Sequence, residues 1–271
     1  MPVVKTSHAL FAALALPAFV VSGCVAAKPN SGELAMVAAA QAPLLPATRE
    51  ERDAADRQEL LAQAAFWGKE YEKNPNDNEA ALKLARVLRA IGSSQRASEI
   101  ASQSLAMKPG DVEFTLVLAQ ASLDQGRPDI AAGALALAER AGLGDWRMMS
   151  TIGVTMDQLD RHVDAQDYYR RALILSPANP KILSNLGLSY ALSSQPLLAE
   201  ETLRQAIESP EADARVRQNL VLVLGVQGKF AEAETAAGHE TPKELIDSNS
   251  AYFRGLLSAS RNWENLRGSR N

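Results

Sequence analysis

The sequence is poor in the residues that build disulfides, metal centres and catalytic sites. Its 271 residues include one cysteine and three histidines, and only 5% are aromatic. A single cysteine excludes an intramolecular disulfide framework. The histidines are His8, His162 and His239. None of them has a partner at the spacing of a metal site or a catalytic triad, and no glycine-rich loop opens a helix after a strand, so neither catalysis nor nucleotide binding is indicated.

The charged residues do not point to chemistry either. Neighbouring carboxylates, Glu200 with Glu201 and Glu232 with Glu234, lie on segments with helical patterning and are interpreted as solvated helix faces. The formal net charge is -4, without long runs of one sign, which excludes a nucleic acid as the expected partner. We therefore expect a protein that is not an enzyme and that takes no metal, cofactor or small-molecule substrate.

Self-similarity at a period of 34 residues is the strongest pattern in the chain. Alanine recurs at this spacing, an aliphatic residue stands thirteen positions before each alanine, and a turn-forming residue stands five positions before it. The alanines are Ala97, Ala131, Ala165, Ala199 and Ala233. The aliphatics are Leu84, Leu118, Ile152, Leu186 and Leu220, and the turn formers are Gly92, Gly126, Asp160, Ser194 and Gly228.

This pattern, with prolines such as Pro109 and Pro177 closing a unit, resembles that of tetratricopeptide repeats. Small residues let two helix backbones approach, and proline ends the second helix because it lacks the amide that would continue it. Pro128 and Pro196 are expected in the first turn of a second helix, where a missing N–H costs nothing. The predicted fold is all-α, a right-handed superhelical solenoid of about five 34-residue repeats plus capping helices.

The N-terminus has the features of a lipoprotein leader. Lys5 precedes a 13-residue apolar run that is too short to span a bilayer. The run ends in a sequence that resembles a bacterial lipobox, in which Cys24 is acylated and becomes the first residue after cleavage. The other lipobox residues are Val21, Ser22 and Gly23. Because Val25 rather than aspartate follows Cys24, the resemblance implies sorting to the outer membrane, with the chain facing the periplasm. The lipid on Cys24 is the one non-protein group expected.

Five segments follow from these patterns. The predicted segments are the signal peptide (1–23), the lipidated cysteine with a flexible Ala/Pro-rich linker (24–49), an N-terminal capping helix or degenerate repeat (50–77), the repeat solenoid (78–241), and a C-terminal capping helix with a tail (242–271).

Resemblance to the repeat family also implies a concave groove lined by the first helix of each pair. The N-terminal groove residues are charged and mixed in sign, and include Arg86 and Arg89. The C-terminal ones place the amides Asn185 and Asn219 among aliphatics, which suits an apolar peptide whose backbone is bound by side chains. The leucines could equally belong to the core, because a register error of one residue moves them inward. The remaining groove residues are Glu79, Leu82, Glu113, Gln120 and Asp124 in repeats one and two, and Lys181, Leu188, Leu192, Gln218, Leu222 and Val226 in repeats four and five.

A narrower resemblance is carried by residues 217–234 and 249–254. Together with the lipobox, the linker and the repeats, they resemble the lipoproteins of the tight-adherence (Tad/Flp) type IVb pilus assembly system, TadD type. The resemblance implies a role in pilus biogenesis, with the secretin or other pilus-assembly or secretion subunits as partners. Two other functions stay open: a general scaffold for outer-membrane or cell-envelope assembly, and an accessory of a peptidoglycan enzyme.

Overall fold

The computed structural model describes residues 45–142 and 144–238, and all regular secondary structure in this part of the chain is helical. The helices are α1 (Arg49–Ala55), α2 (Leu60–Lys73), α3 (Asn78–Ala90), α4 (Ser94–Met107), α5 (Val112–Asp124), α6 (Pro128–Arg140), α7 (Trp146–Gln158), α8 (His162–Leu175), α9 (Pro180–Leu192), α10 (Pro196–Ile207), α11 (Ala214–Val226) and α12 (Phe230–Ala237). The all-α prediction is confirmed for these residues.

The helices repeat with the period of the sequence. We call α3, α5, α7, α9 and α11 the A helices and the helix that follows each of them the B helix. Successive A helices begin at residues 78, 112, 146, 180 and 214, and successive B helices at residues 94, 128, 162, 196 and 230. Helix α2 begins at residue 60, one period before α4, so it occupies the B position of a partial repeat at the N-terminus.

Each pair has the same start and the same turn. An Asp or Asn side chain immediately before each A helix accepts a hydrogen bond from a backbone N–H of the first turn, which satisfies a donor that has no partner within the helix. These caps are Asp77, Asp111, Asp145, Asn179 and Asp213. All five predicted turn formers have positive φ, between 57° and 86°, which confirms their role between the A and B helices. Pro128 and Pro196 begin α6 and α10, as predicted.

The two helices of a pair cross at close range. All five repeated alanines are at most 4% exposed. A Cβ atom at Gly153 would lie 2.5 Å from the ring of Tyr169, and a Cβ atom at Gly187 would lie 2.6 Å from Cγ of Leu203. The A helix therefore needs a residue without a side chain where a large side chain of the B helix crosses it.

The stacking of the pairs places the A helices on the inner side. Each A helix contacts the next A helix, whereas within the described residues no B helix makes comparable contact with the next B helix. Each B helix instead contacts the A helix of the following repeat. Because the A helices are the more closely stacked, they form the concave side of the solenoid.

The N-terminal segment, for which the sequence predicts a capping helix or a degenerate repeat over residues 50–77, contains the two helices α1 and α2. The chain turns after α1, because the Asp56 carboxylate binds two partners outside that helix: it accepts a hydrogen bond from Trp67 Nε1 at 3.2 Å and pairs with Lys83. Trp67 is fully buried beneath this turn. The stretch therefore forms two helices that cover the first full repeat.

Arg52 fastens α1 to the helices beneath it. Its side chain is 11% exposed, and its guanidinium pairs with Glu70 at 3.2 Å, Asp77 at 2.5 Å and Glu79 at 2.8 Å. The backbone N–H of Ala47 donates a second hydrogen bond to Glu70, at 2.7 Å. Burial by itself would raise the pKa of these three carboxyl groups, but hydrogen bonds and the neighbouring cations bring each pKa below its ordinary value.

The close crossing can be tested at Gly153. We expect Gly153→Ala to destabilise the fold by about 1–2 kcal/mol, because overpacking against Tyr169 outweighs the better helix propensity of alanine. The control is Gly133→Ala on α6, where a Cβ atom would meet nothing within 4 Å; this change should stabilise the fold by about 0.5–1 kcal/mol. Urea unfolding followed by circular dichroism measures both changes. Equal effects at the two glycines would contradict the crossing geometry.

Replacing Arg52 tests the N-terminal ion cluster. Arg52→Met leaves three neighbouring carboxylates without their shared cation, so we expect a loss of about 3 kcal/mol in the free energy of unfolding at neutral pH. The control is Arg57→Met, because Arg57 is exposed and should change stability by less than about 0.5 kcal/mol.

The same cluster predicts a dependence on pH. Since the folded-state pKa of Glu70, Asp77 and Glu79 lies below the ordinary values of 4.5 for Glu and 3.8 for Asp, their contribution to stability is present above those values. It is lost as the pH falls through the lowered values. The stability difference between wild type and Arg52→Met should therefore be constant near neutral pH and shrink below about pH 4. A difference that stays constant at acid pH would show that these ion pairs do not hold α1.

Candidate partner-binding groove

A concavity of about 580 Å³ lies along the A helices, and residues of all five contribute to it. The side chains of Ser150, Ser184 and Asn185 supply hydrogen-bonding groups along its lining, and Trp146 and Val216 supply apolar surface. Its charged lining residues are Arg89, Asp124, Arg147, Lys181, Asp213 and Arg215. An open, mixed polar and apolar groove of this kind suits an extended or helical segment of another protein.

The two predicted arginines at the N-terminal end are paired within the protein. Arg86 pairs with Glu113 on the next A helix. Arg89 Nε lies 2.7 Å from Asp124 Oδ2, and Arg89 Nη1 donates to Gln120 Oε1 at 3.1 Å. Both arginines line a smaller concavity of about 220 Å³. Their guanidinium groups therefore join neighbouring repeats, and a ligand at this end would have to compete with these ion pairs.

The predicted amides bridge consecutive A helices. Asn185 Nδ2 donates to Ser150 Oγ at 3.3 Å, and Asn219 Nδ2 donates to Ser184 Oγ at 2.8 Å. Each amide makes this one side-chain hydrogen bond to the described residues, which leaves its Oδ1 atom as an acceptor for a peptide N–H. Asn185 lines the 580 Å³ concavity, whereas Asn219 lies outside its lining.

The predicted aliphatic residues lie towards the C-terminal end of the groove. Leu192, Leu222 and Val226 are 61%, 43% and 53% exposed, and Gln218 is exposed as well. Leu188 is half-buried. All five lie on α9 or α11 outside the lining of the 580 Å³ concavity. We call these five residues, which are apolar except for Gln218, the C-terminal apolar surface.

The few side chains that could take part in catalysis or metal binding make structural contacts instead. His162 begins α8, and its Nδ1 atom lies 2.9 Å from Asp157 Oδ1. The interpretation of Glu200 as a solvated residue is wrong: it is 9% exposed, because Lys229 and Arg204 pair with it at 2.6 and 2.9 Å. Across residues 45–142 and 144–238, no group of three or more His, Cys, Asp or Glu side chains has a geometry that could hold a metal ion.

Sequence reasoning missed two basic residues of the groove. Arg147 and Arg215 occupy the same repeat position as Lys181, Glu113 and Glu79, which the sequence did select. The 34-residue period would have found them, if the groove position of Glu79 had also been selected in repeats three and five.

Several predicted features lie outside the described residues. These are Cys24, the lipobox residues Val21, Ser22 and Gly23, His8 and His239, and the segment 242–271. Within the described residues, none of the helices has both the length and the apolar character needed to cross a membrane.

Comparison with solved structures identifies the fold. A tetratricopeptide-repeat protein of Thermus thermophilus, TTC0263, is 22% identical and superposes with a TM-score of 0.58, covering 68% of this chain and 98% of that one. The Cut9–Hcn1 hetero-tetramer of APC/C is 16% identical, with a TM-score of 0.60, over 77% of this chain and 40% of that one. The chain therefore has the tetratricopeptide-repeat fold, which confirms the prediction.

Comparison by sequence finds more distant and partial similarity. No protein-family model matches the chain. The human protein O-mannosyl-transferase TMTC1 is 25% identical over 205 residues, which are 73% of this chain and 23% of that protein. The uncharacterized protein y4yS of Sinorhizobium fredii is 31% identical over 110 residues, which are 41% of this chain and 60% of that protein. The chain thus spans less than two thirds of either relative.

Proposed function

We propose that the protein is a non-enzymatic adaptor that holds a segment of a partner protein on the concave side of its A helices. The observation that carries this proposal is the 580 Å³ concavity, which is continuous across five repeats and is followed by the exposed leucines of α9 and α11. Exposed aliphatic side chains and hydrogen-bonding side chains on the same helices suit a peptide ligand, and no group of His, Cys, Asp or Glu side chains among the described residues could hold a metal ion.

The proposal includes a lipid anchor. Cys24 follows an apolar run and the small residues Ser22 and Gly23, which is the context in which bacterial lipoproteins are acylated. More than one acyl chain gives stable attachment, since each buried methylene contributes about 0.8 kcal/mol. Residues 24–49 would then act as a flexible tether between the outer membrane and the periplasmic repeats.

The partner that we propose is a subunit of a Tad/Flp pilus assembly system. The support is the resemblance carried by residues 217–234 and 249–254 together with the lipobox and the repeats. In this role the groove would bind a segment of the secretin or of another secretion subunit and help it to localise or assemble at the outer membrane.

Photo-cross-linking in cells tests the adaptor function. A photoreactive amino acid at position 222, on the C-terminal apolar surface, should cross-link to a secretin or pilus-assembly subunit that mass spectrometry can identify. The same amino acid at position 174 is the control, because Ile174 is 77% exposed but lies on the B helix α8. It should not capture that partner.

The outcome also separates the alternative functions. Cross-links to envelope-assembly proteins, with surface pili unchanged after gene deletion, would replace the pilus role by a general scaffold. Cross-links to a peptidoglycan enzyme, with altered wall turnover, would indicate an accessory of that enzyme. Absence of any partner specific to position 222 would contradict the adaptor function.

The anchor is tested by Cys24→Ser. Without the thiol no acyl chain can be attached, so the variant should remain uncleaved or become soluble and should leave the outer-membrane fraction. The measurement is density-gradient fractionation with an antibody to the repeats, and Cys24→Ser with an unrelated lipoprotein leader fused in front serves as the rescue. A variant that still floats with the outer membrane would show that lipid is not the anchor.

A further inference from the structure

The second residue of each A helix forms a column whose charge changes sign along the solenoid. From repeat one to repeat five the column is Glu79, Glu113, Arg147, Lys181 and Arg215. The two glutamates are fully used: Glu79 pairs with Arg49 at 2.7 Å and Arg52 at 2.8 Å, and Glu113 pairs with Arg86 and with Arg147 at 2.6 Å. The last acidic residue of the column is thus already shared between two arginines.

Lys181 and Arg215 continue this column, and neither side chain has an acidic partner among the described residues. Both side chains are exposed and line the 580 Å³ concavity, and neither has a described carboxylate within the 4.0 Å limit of an ion pair. Of the two acidic residues of the lining, Asp124 pairs with Arg89, whereas Asp213 is exposed, accepts a hydrogen bond from the backbone N–H of Val216 at 3.2 Å, and keeps its negative charge. At the C-terminal half of the groove the charges of Lys181 and Arg215 therefore exceed that of Asp213, and one positive charge is left over.

The spacing of these two cations matches the distance between side chains three residues apart in an extended peptide. They stand at the same position of neighbouring, packed helices, whose axes are about 8–10 Å apart. A chain in the polyproline II conformation rises about 3.1 Å per residue with three residues per turn, so side chains three residues apart lie on one face and span about the same distance. Asn185, four residues after Lys181 on the same helix, also lines the concavity and provides hydrogen-bonding groups that a peptide backbone can use.

We propose that the groove binds an internal acidic segment of its partner, with carboxylate side chains about three residues apart pairing with Lys181 and Arg215. The proposal rests on the adaptor function and adds the chemistry of the partner. The net charge of -4 does not oppose it, because charges farther than about 8 Å are largely screened at physiological ionic strength. A protein segment is favoured over an anionic polymer, because two free cations are few for a polyanion while the groove also offers hydrogen-bonding and apolar groups.

The test uses the intact mature chain and a fluorescent peptide of about twelve residues, with glutamate at every third position, which is the side-chain period of polyproline II, and an amidated C-terminus. Fluorescence anisotropy should detect binding that weakens as salt is added. Lys181→Gln and Arg215→Gln should each weaken binding by roughly two- to fivefold, and the double variant by roughly tenfold. Lys181→Arg keeps the charge and should retain affinity.

Matched controls separate charge in the groove from charge in general. Arg217→Gln removes an exposed cation two residues from Arg215, outside the lining of the concavity, and should leave affinity unchanged. A peptide with glutamine in place of glutamate should bind at least tenfold more weakly, and a peptide with its glutamates adjacent should bind more weakly than the spaced one. Thermal unfolding of each variant confirms that the solenoid is intact, which is expected because both residues are exposed and unpaired.

Each outcome decides the proposal. No binding of the spaced peptide, or equal binding by the wild type and the double variant, overturns it. Equal or tighter binding of polyphosphate that depends on the same two residues also overturns it, in favour of an anionic polymer. If the cross-link at position 222 identifies a partner whose contacting segment lacks acidic residues, the adaptor function stands and the acidic segment is rejected. If no partner is captured at that position, the adaptor function fails whatever the peptide shows.

Discussion

The close crossing of the two helices in each pair is the constraint on which the solenoid depends. Because Gly153 has no side chain, the ring of Tyr169 can occupy the space that a Cβ atom would take. The residues at these two positions balance one another in size along the chain. The pairs are Ala85 with Ala101, Ala119 with Leu135, Gly153 with Tyr169, Gly187 with Leu203 and Val221 with Ala237. In four of these five pairs a larger residue on one helix meets a smaller one on the other, as close packing requires, whereas Ala85 and Ala101 are both small.

Each A helix contacts the next one, and side chains on the inner face of the A helices then line the groove. At the N-terminal end the contacts between A helices are ion pairs, in which Glu113 binds both Arg86 and Arg147. At the C-terminal end they are single hydrogen bonds, from Asn185 and Asn219 to serines of the preceding repeat. At the N-terminal end the charged side chains are paired with one another. At the C-terminal end acceptor atoms and cations stay available to a ligand.

The period of 34 predicted the helix pairs, because the residues that repeat act locally. Small residues allow two helices to approach, and turn formers end one helix before the next begins. Even Asp160 and Ser194 adopt the left-handed conformation that glycine favours, since the repeat requires a turn there whichever residue is present. The period could not predict which groove side chains are free. Arg89 and Lys181 are both basic residues that the sequence predicts in the groove. Arg89 nevertheless binds Asp124, 35 residues away on the next A helix, whereas Lys181 has no such neighbour among the described residues. Pairing of that kind depends on distances between helix axes and on rotamers, which the repeat pattern does not contain.

The two ends of the solenoid therefore differ in what they offer to a partner. Arg52 and its three carboxylates lie at the N-terminal end, which follows the proposed tether in the sequence. The ion pairs of Arg86 and Arg89 extend this region of internally paired charges into repeat two. In repeats four and five the groove cations Lys181 and Arg215 have no acidic partner among the described residues, and Leu192 and Leu222 of the same helices are exposed. A partner that bound the N-terminal half would have to break existing ion pairs, at a cost in free energy that its own contacts would have to exceed. Binding at the C-terminal half requires no such exchange, which is why the proposed ligand is expected at α9 and α11.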